Sequence, residues 1–467
     1  MRPDADHAWR LARALWHDLD GDEAALERVR IDGPAGVLPS IFDVTGFAAA
    51  TVSCAAVAVA ELAAARAGRD RPDRAVRVDR LAASASFKFE TLVRAIGWTI
   101  PPIWDPVAGD YRASDGWIRL HTNYRHHLDA ALRVLGCVAQ RDAVSAAVAR
   151  WSADELEAAV VAAGGCAAAM RTSAAWERHP AGEATRDERP VVLRPGVASP
   201  SPAPGLGQED GAPPLAGIRI LDLTRVIAGP VCTRYLAAYG ADVLRVDPPG
   251  FAEVPALLPE ATAGKRCAFL DLGKADDRRR FEALVARAHV VVGGLRPDAL
   301  SRLGYGPDAL RAINPALVGV AHDAYGWRGP WAQRRGFDSL VQMSTGIAAA
   351  GMRAARADRP TPLPAQALDH GIGHLLAAGA CRALTALVRE GVVRDVRGSL
   401  LGAANVIKGT TAPAAAATDI TVDDAPRARA DTAFGPVERV PLAGTIAGLA
   451  PRWSQTAGPL GRHEATF

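Results

Sequence analysis

The chain has 467 residues, enough for about three domain-sized units. Hydrophobic residues make up 49% and charged residues 22%, which excludes disorder over the whole length. Lys plus Arg total 54 against 51 for Asp plus Glu, so the net charge is +3 and there is no basic footprint for nucleic acid.

The first residues, MRPDADHAWR, are polar and lack the apolar core of a signal peptide. The longest apolar run, 46–60, falls short of the ~20 residues that span a bilayer and predicts a buried helix within 47–66. Six cysteines, at 54, 137, 166, 232, 267 and 381, form no C-x-x-C pair and suit a reducing compartment. A soluble, cytoplasmic protein without membrane contact is expected. Strand signals follow at 76–79, then a β-hairpin over 111–120 that turns at Ser114-Asp115-Gly116. Helices are predicted at about 125–136, 141–151 and 153–163.

Residues 195–214, PGVASPSPAPGLGQEDGAPP, have linker composition and no hydrophobic period. They divide the chain into 1–194 and 215–467, and the linker is expected to be exposed and open to proteolysis. The second part opens with a βαβ pattern: a strand at 218–223, a helix at 231–239 stopped by Gly240, and a strand at 241–247 stopped by Pro248-Pro249. Further strands at 289–292 and 316–321, with a helix at 278–287, predict an α/β fold whose parallel sheet is wound by helices. Residues 409–432 read as a long loop.

A weak internal repeat aligns FDVTGFAAATVSCAAVAVAELAAARAG, from Phe42, with LDHGIGHLLAAGACRALTALVREG, from Leu368. It places Asp43 opposite Asp369. The loop after the first strand of the βαβ unit, TRVIAGP, is not G-x-G-x-x-G. Asp247 therefore lacks the glycines that would let a pyrophosphate approach, and NAD is not expected. His370 and His374 share a helix face, and Tyr124-Arg125-His126-His127 reads as a polar face. With no H-E-x-x-H, no metal is expected.

The stretch PLAGIRILDLTRVIAGPVCTRYLAAYGADVLRVDPPG, 214–250, resembles the opening of the class III CoA-transferases. That family includes formyl-CoA transferase, carnitine CoA-transferase and α-methylacyl-CoA racemase. The resemblance continues in order through GKRCAFLDL, VVGGLRPDALSRLGYG, INPALVGVAHDAYGWRGPW, RRGFDSLVQMSTGIA and LPAQALDHGIGHLLAAGACRAL, and so covers nearly all of 214–390. It implies a Rossmann-like large domain with a smaller α+β domain. It also implies transfer of coenzyme A, a cosubstrate rather than a tightly bound cofactor, between an acyl-CoA and a small carboxylic acid.

The family's catalytic aspartate lies in a segment like ALDHGIGH, which points to Asp369. A carboxylate at a helix N-terminus is expected to stay ionised, attack a thioester carbonyl and form a mixed anhydride. Gly371 and Gly373 are expected to leave room for the acyl group and to offer oxyanion donors. By resemblance, CoA contacts fall on Ile227 and Ala228, then on Leu270, Asp271, Leu272 and Lys274. They continue at Gly294, Leu295, Arg296 and Arg302, and at Arg335, Gly336, Phe337 and Asp338. Pro248 stands where some members carry a basic residue, and Gly294-Leu295 replaces a frequent Asn-Phe pair. The racemase places a His where Phe337 stands, which argues against racemisation unless His370 or His374 substitutes. A non-catalytic CoA-binding protein is the third possibility.

The N-terminal part resembles the middle of the same plan more loosely, through Asp43 and its helix, DPVAGDYRASDGWIRLHTNYRHH and ELEAAVVAAGGCAAAMRTSAAWERHP. The implied architecture is a rearranged fusion. Residues 1–194 form a degenerate family part, and 215–467 form the CoA-binding catalytic domain with a C-terminal return segment. Asp43 is expected to be a structural remnant. Family members form interlocked dimers, so this chain either supplies both sides of the site or also forms a homodimer.

Overall fold

A computed structural model describes residues 6–199, 206, 211–294, 298–413, 419–420 and 424–467. Its centre is a seven-stranded sheet built from β1 (Val191–Leu193), β2 (Arg219–Leu223), β3 (Asp242–Asp247), β4 (Lys265–Phe269), β5 (Val290–Gly293), β6 (Val318–Asp323) and β7 (Val396–Ser399). Across the sheet the order is β4-β3-β2-β5-β6-β7-β1. Every neighbouring pair is parallel except β7 with β1. Strands such as β5, Val-Val-Val-Gly, are apolar without alternation because helices cover both faces of such a sheet. The protein is therefore α/β, with a Rossmann-like parallel sheet and one antiparallel edge.

The chain order of the strands reverses direction between β2 and β5. In open parallel sheets the crevice at the carboxyl ends of two such strands is where ligands bind. Arg225 and Val226 of the loop after β2, and Gly294 just past β5, line one cavity at this point.

Among the described helices we number six: α1 (His7–Asp18), α2 (Val44–Arg66), α3 (Ala228–Ala238), α4 (Asp338–Ser344), α5 (Ala367–Glu390) and α6 (Leu400–Lys408). Every residue of α2 is buried, as an all-round apolar composition requires. Both α2 and α5 are long and apolar enough to cross a bilayer, yet both lie buried inside the fold. They pack along each other, and Phe47 of α2 sits where a Cβ on Gly371 of α5 would approach within 2.2 Å. Glu61 of α2 is buried and accepts from Arg382 of α5 at 2.6 Å.

The N-terminal segment is built into this core. β1 joins the central sheet beyond β7, and α2 shares one buried cluster with α3, α5 and the strands. A smaller cluster lies under the predicted hairpin, whose strands Gly109–Arg112 and Trp117–Leu120 pair antiparallel and continue to Ala167–Ala169. The expected helices beside it run Arg125–Leu135, Arg141–Val148 and Ala153–Ala162.

Much of the linker, 200–205 and 207–210, lies outside the described residues. Its described parts are tied down. Val197–Ala198 pairs with Val392–Val393, and buried Arg66 donates to the carbonyls of Leu206 and Pro214 at 2.9 and 2.6 Å. Part of the expected 409–432 loop also lies outside the described residues, and within it Ala428–Ala430 forms a strand with Val437–Arg439.

Candidate active site

Asp369 is the third residue of α5, and Gln366 occupies the cap position. Of the amides that a helix start leaves unpaired, those of Leu368 and Asp369 donate to Oδ2 of Asp338, the first residue of α4, at 2.8 and 3.0 Å. Gln342, one turn further along α4, donates to the other oxygen of Asp338 and accepts from the Leu363 amide at 2.7 Å. Because Asp338 carries out the capping, the carboxylate of Asp369 is left free. It accepts no hydrogen bond among the described residues, though Asp369 is only 7% exposed.

Two cavities meet at that carboxylate. One, of about 140 Å³, is walled by residues of 88–124 on one side and by 226–257 and 363–369 on the other. The second, of about 310 Å³, opens between Arg225, His126, His127, Gly294, His322, Arg334 and Arg335. Tyr124, Val226, Phe337 and Asp369 line both. A single chain thus supplies both walls of the site.

The loop after β2 reaches the site under strain. Val226, a β-branched residue, has φ +65°, a conformation that costs on the order of 1–3 kcal/mol. It is held because its amide donates to Glu253 Oε2 at 3.1 Å. Glu253 is buried and also accepts from the Tyr124 hydroxyl at 2.9 Å and from Arg245 at 3.0 Å. This carboxylate therefore fastens the N-terminal wall to the loop of the central sheet.

The electrostatics differ from the expectation of an ionised nucleophile. Burial, with the negative charges of Asp338 and Glu90 nearby, pushes the Asp369 carboxyl well above the usual carboxylate range. Asp338 itself is pushed up to about 6 by burial. The helix-start amides that would have favoured the ionised Asp369 are spent on Asp338.

The sequence-predicted residues separate into groups. Ile227, Gly294, Arg335, Gly336 and Phe337 line the cavities with Asp369, and Ala228 is buried beside them at the start of α3. Leu270, Asp271, Leu272, Lys274 and Arg302 line neither cavity. Leu270 is in the core, Lys274 points to solvent near Asp271, and Arg302 is exposed and paired with Asp298. Leu295 and Arg296 lie outside the described residues.

Asp338 requires a correction. It is fully buried with both oxygens bonded, so it positions α5 rather than contacting CoA. Gly371 and Gly373 also serve a different purpose. A Cβ on Gly373 would meet Val231 of α3 at 2.5 Å, so both glycines permit close helix packing. Their amides lie beyond the unpaired first turn and are used inside α5. His370 donates to or accepts from Glu90 at 3.0 Å and is fully buried, and His374 stacks on Phe87. Neither histidine reaches the Asp369 cavities.

The sequence reasoning missed Glu90, His121, Tyr124, Arg225, Val226, His322 and Arg334. Of these, only His322 had a signal in the sequence, the glycine at 294. A Cβ there would approach His322 Nε2 within 2.3 Å, so the glycine that replaces Asn accommodates an imidazole.

Residues 215–436 match CoA-transferase family III. A probable fatty acyl-CoA transferase of Mycobacterium tuberculosis is 34% identical over 199 residues, 40% of this chain and 50% of that one. The succinyl-CoA–L-malate CoA-transferase beta subunit of Chloroflexus aurantiacus is 35% identical over 147 residues, 29% of this chain and 36% of that one. A crystal structure of a hypothetical protein from M. tuberculosis aligns at 32% identity with a TM-score of 0.38, covering 42% of this chain and 56% of that chain. The chain thus spans about half, or less, of the length of these relatives. The matched residues, 215–436, carry the parallel strands of the central sheet and Asp369, and it is through them that the chain is similar to CoA-transferase family III.

Proposed function

We propose that the protein transfers coenzyme A between an acyl thioester and a carboxylic acid, with Asp369 as the covalent nucleophile. The observation that carries this reading is the unspent, buried carboxylate of Asp369 at the junction of two cavities. The larger cavity, with Arg225, Arg334 and Arg335 beside it, suits the phosphate-bearing cosubstrate, since guanidinium matches phosphate geometry. The smaller cavity suits the acyl group and the acceptor acid in turn.

In this reading a carboxylate oxygen of Asp369 attacks the thioester carbonyl, the C–S bond breaks and CoA thiolate leaves, giving a mixed anhydride. The thiolate attacks the aspartyl carbonyl, releasing the first acid and leaving an aspartyl-CoA thioester. The acceptor carboxylate displaces the thiolate to form a second anhydride. Thiolate attack on the new acyl carbonyl then frees Asp369 and the product thioester.

Racemisation has less support, because His370 and His374 are committed elsewhere. The rearranged-fusion reading is supported by the parallel between Asp43 and Asp369, each near the start of a long buried helix, with those helices packed together. Asp43 differs from Asp369 in having both oxygens occupied, Oδ1 by the Gly46 amide at 2.7 Å and Oδ2 by His7 at 2.6 Å.

Asp369→Asn should fold and bind CoA yet lose transfer by at least about a thousandfold, read by mass spectrometry of new thioesters from a panel of acyl-CoAs and acids. Hydroxylamine added during turnover should convert Asp369 to a hydroxamate. Asp43→Asn is the control and should stay within a few-fold of wild type. Substantial activity in Asp369→Asn, or an adduct elsewhere, would refute the assignment.

A further inference from the structure

The smaller cavity has one wall whose polar groups are nearly all committed. Lys88 is paired with Asp419 at 2.5 Å. Asn123 donates to the Ile103 carbonyl at 3.0 Å and accepts from the Asp105 amide at 2.9 Å. Thr91 donates to the Lys88 carbonyl, and Tyr124 to Glu253. The buried exception is His121; the Trp104 indole, also without a hydrogen-bond partner among the described residues, is 37% exposed. His121 is 4% exposed and lies at the end of the Trp117–Leu120 strand, with its main-chain amide on the Cys166 carbonyl at 3.0 Å. Its ring is stacked on Phe337 at 3.7 Å between centroids and 6° between planes, with Trp104 edge-on at 5.7 Å. No other described residue accepts from or donates to either ring nitrogen.

Such a group is costly to leave unmade. A buried donor and acceptor without partners is destabilising, and polar side chains this enclosed are nearly always hydrogen-bonded. The stacking on Phe337 fixes the ring plane, and the ring lines the cavity that Asp369 also lines. Burial, together with Arg119 and His127, depresses its pKa to about 3, so at neutral pH it is an uncharged imidazole. One nitrogen then donates and the other accepts.

We infer that His121 reads a hydroxyl group on a short acyl chain, so that the substrates are hydroxyacyl-CoA thioesters and small hydroxy acids. This rests on the proposed CoA transfer and names its substrate class. A hydroxyl both donates and accepts, as a neutral imidazole does. The cavity volume of about 140 Å³ is near that of a cavity that holds benzene, which limits the acyl part to about six heavy atoms. Ile103, Val254, Leu257 and Leu363 supply apolar walls for the rest of the chain. A second carboxylate fits poorly. Asp419 already neutralises Lys88, Glu90 faces the same space, and burying an anion without a free cation is unfavourable.

The test compares 2-hydroxybutyryl-CoA and 3-hydroxybutyryl-CoA with butyryl-CoA and succinyl-CoA, as kcat/KM for transfer to acetate and as Kd by titration calorimetry on the full chain. One of the two hydroxyacyl-CoAs should exceed butyryl-CoA by about tenfold in both measures. His121→Phe keeps a flat ring on Phe337 and should bring that ratio to about one. His121→Gln, which retains a donor and an acceptor, should keep part of it. A wild-type ratio near one, a preference for succinyl-CoA, or an unchanged ratio in His121→Phe would overturn the inference. If Asp369→Asn retained transfer, the nucleophile assignment would fall, while the binding ratio would still decide the role of His121.

Discussion

Asp43 and Asp369 show how little a residue type says without its surroundings. Both head long, apolar helices, and the sequence aligns them. In one, the carboxylate caps its helix and pairs with a histidine. In the other, a neighbouring aspartate has taken over the capping and left the carboxylate idle in a cavity wall. That substitution of roles has a titration consequence. Asp369 must lose its proton to act as a nucleophile, so transfer should rise with pH through its pKa. Its carboxyl is raised by burial first and then by Asp338 and Glu90. The acid limb of kcat/KM should therefore lie well above the ordinary carboxylate range. Removing the charge of Asp338 favours the ionised Asp369, so in Asp338→Asn the limb should move to lower pH. The substituted amide would face the Gln342 donor, so a loss of roughly 1–3 kcal/mol in stability is also expected. A pH profile whose acid limb did not move would show that Asp338 acts on Asp369 only through the helix start.

At the scale of elements, the sequence was informative wherever a pattern is local. The parallel strands β2, β3, β5 and β6 and the helices beside the hairpin were legible because apolar runs, turn residues and helix stops lie within a few residues of one another. Asp369 was legible only through the resemblance of its segment. β1, β4 and β7 were not. A strand of three to five residues carries too little pattern by itself, and the pairing of β7 with β1 joins distant parts of the chain. Gly371 and Gly373 were misread because a small residue at a helix start fits an acyl group and a packed helix equally well. His121 and Tyr124 enter the site by tertiary packing that no local spacing encodes.

One element-level feature is a buried ion pair that joins two strands and a helix. Lys265 of β4 donates to Asp222 of β2 at 2.9 Å, and Thr233 of α3 donates to the same oxygen at 2.6 Å. Both charges are fully buried. Lys265→Ala would leave Asp222 without its cation in a dry interior, where breaking such a pair costs about 3–5 kcal/mol. The denaturant midpoint should fall accordingly. If it moves by less than a fifth of that, Asp222 has found another partner or a proton.

For the whole molecule, the chain order and the spatial order part company. The segment before the linker does not stand beside the sheet. It supplies an edge strand, the central helix α2 and one wall of the candidate site. The packing of α2 along α5 removes two helices from water that are apolar enough to span a membrane. Separating them would expose most of that surface, at about 25 cal/mol for each Å² of apolar area. Residues 215–467 expressed alone should therefore aggregate or remain molten, with loose near-ultraviolet signals and dye binding. Co-expression with residues 1–214 as a separate chain should restore a stable one-to-one complex. That complex should also recover transfer, because Tyr124 and His121 would again face Asp369 across the cavity. The decisive comparison is calorimetric. A single cooperative transition in the reconstituted complex, and none in residues 215–467 alone, is expected of one shared core. A sharp transition in the isolated C-terminal part would show instead that the sheet folds on its own and that the N-terminal segment merely covers it.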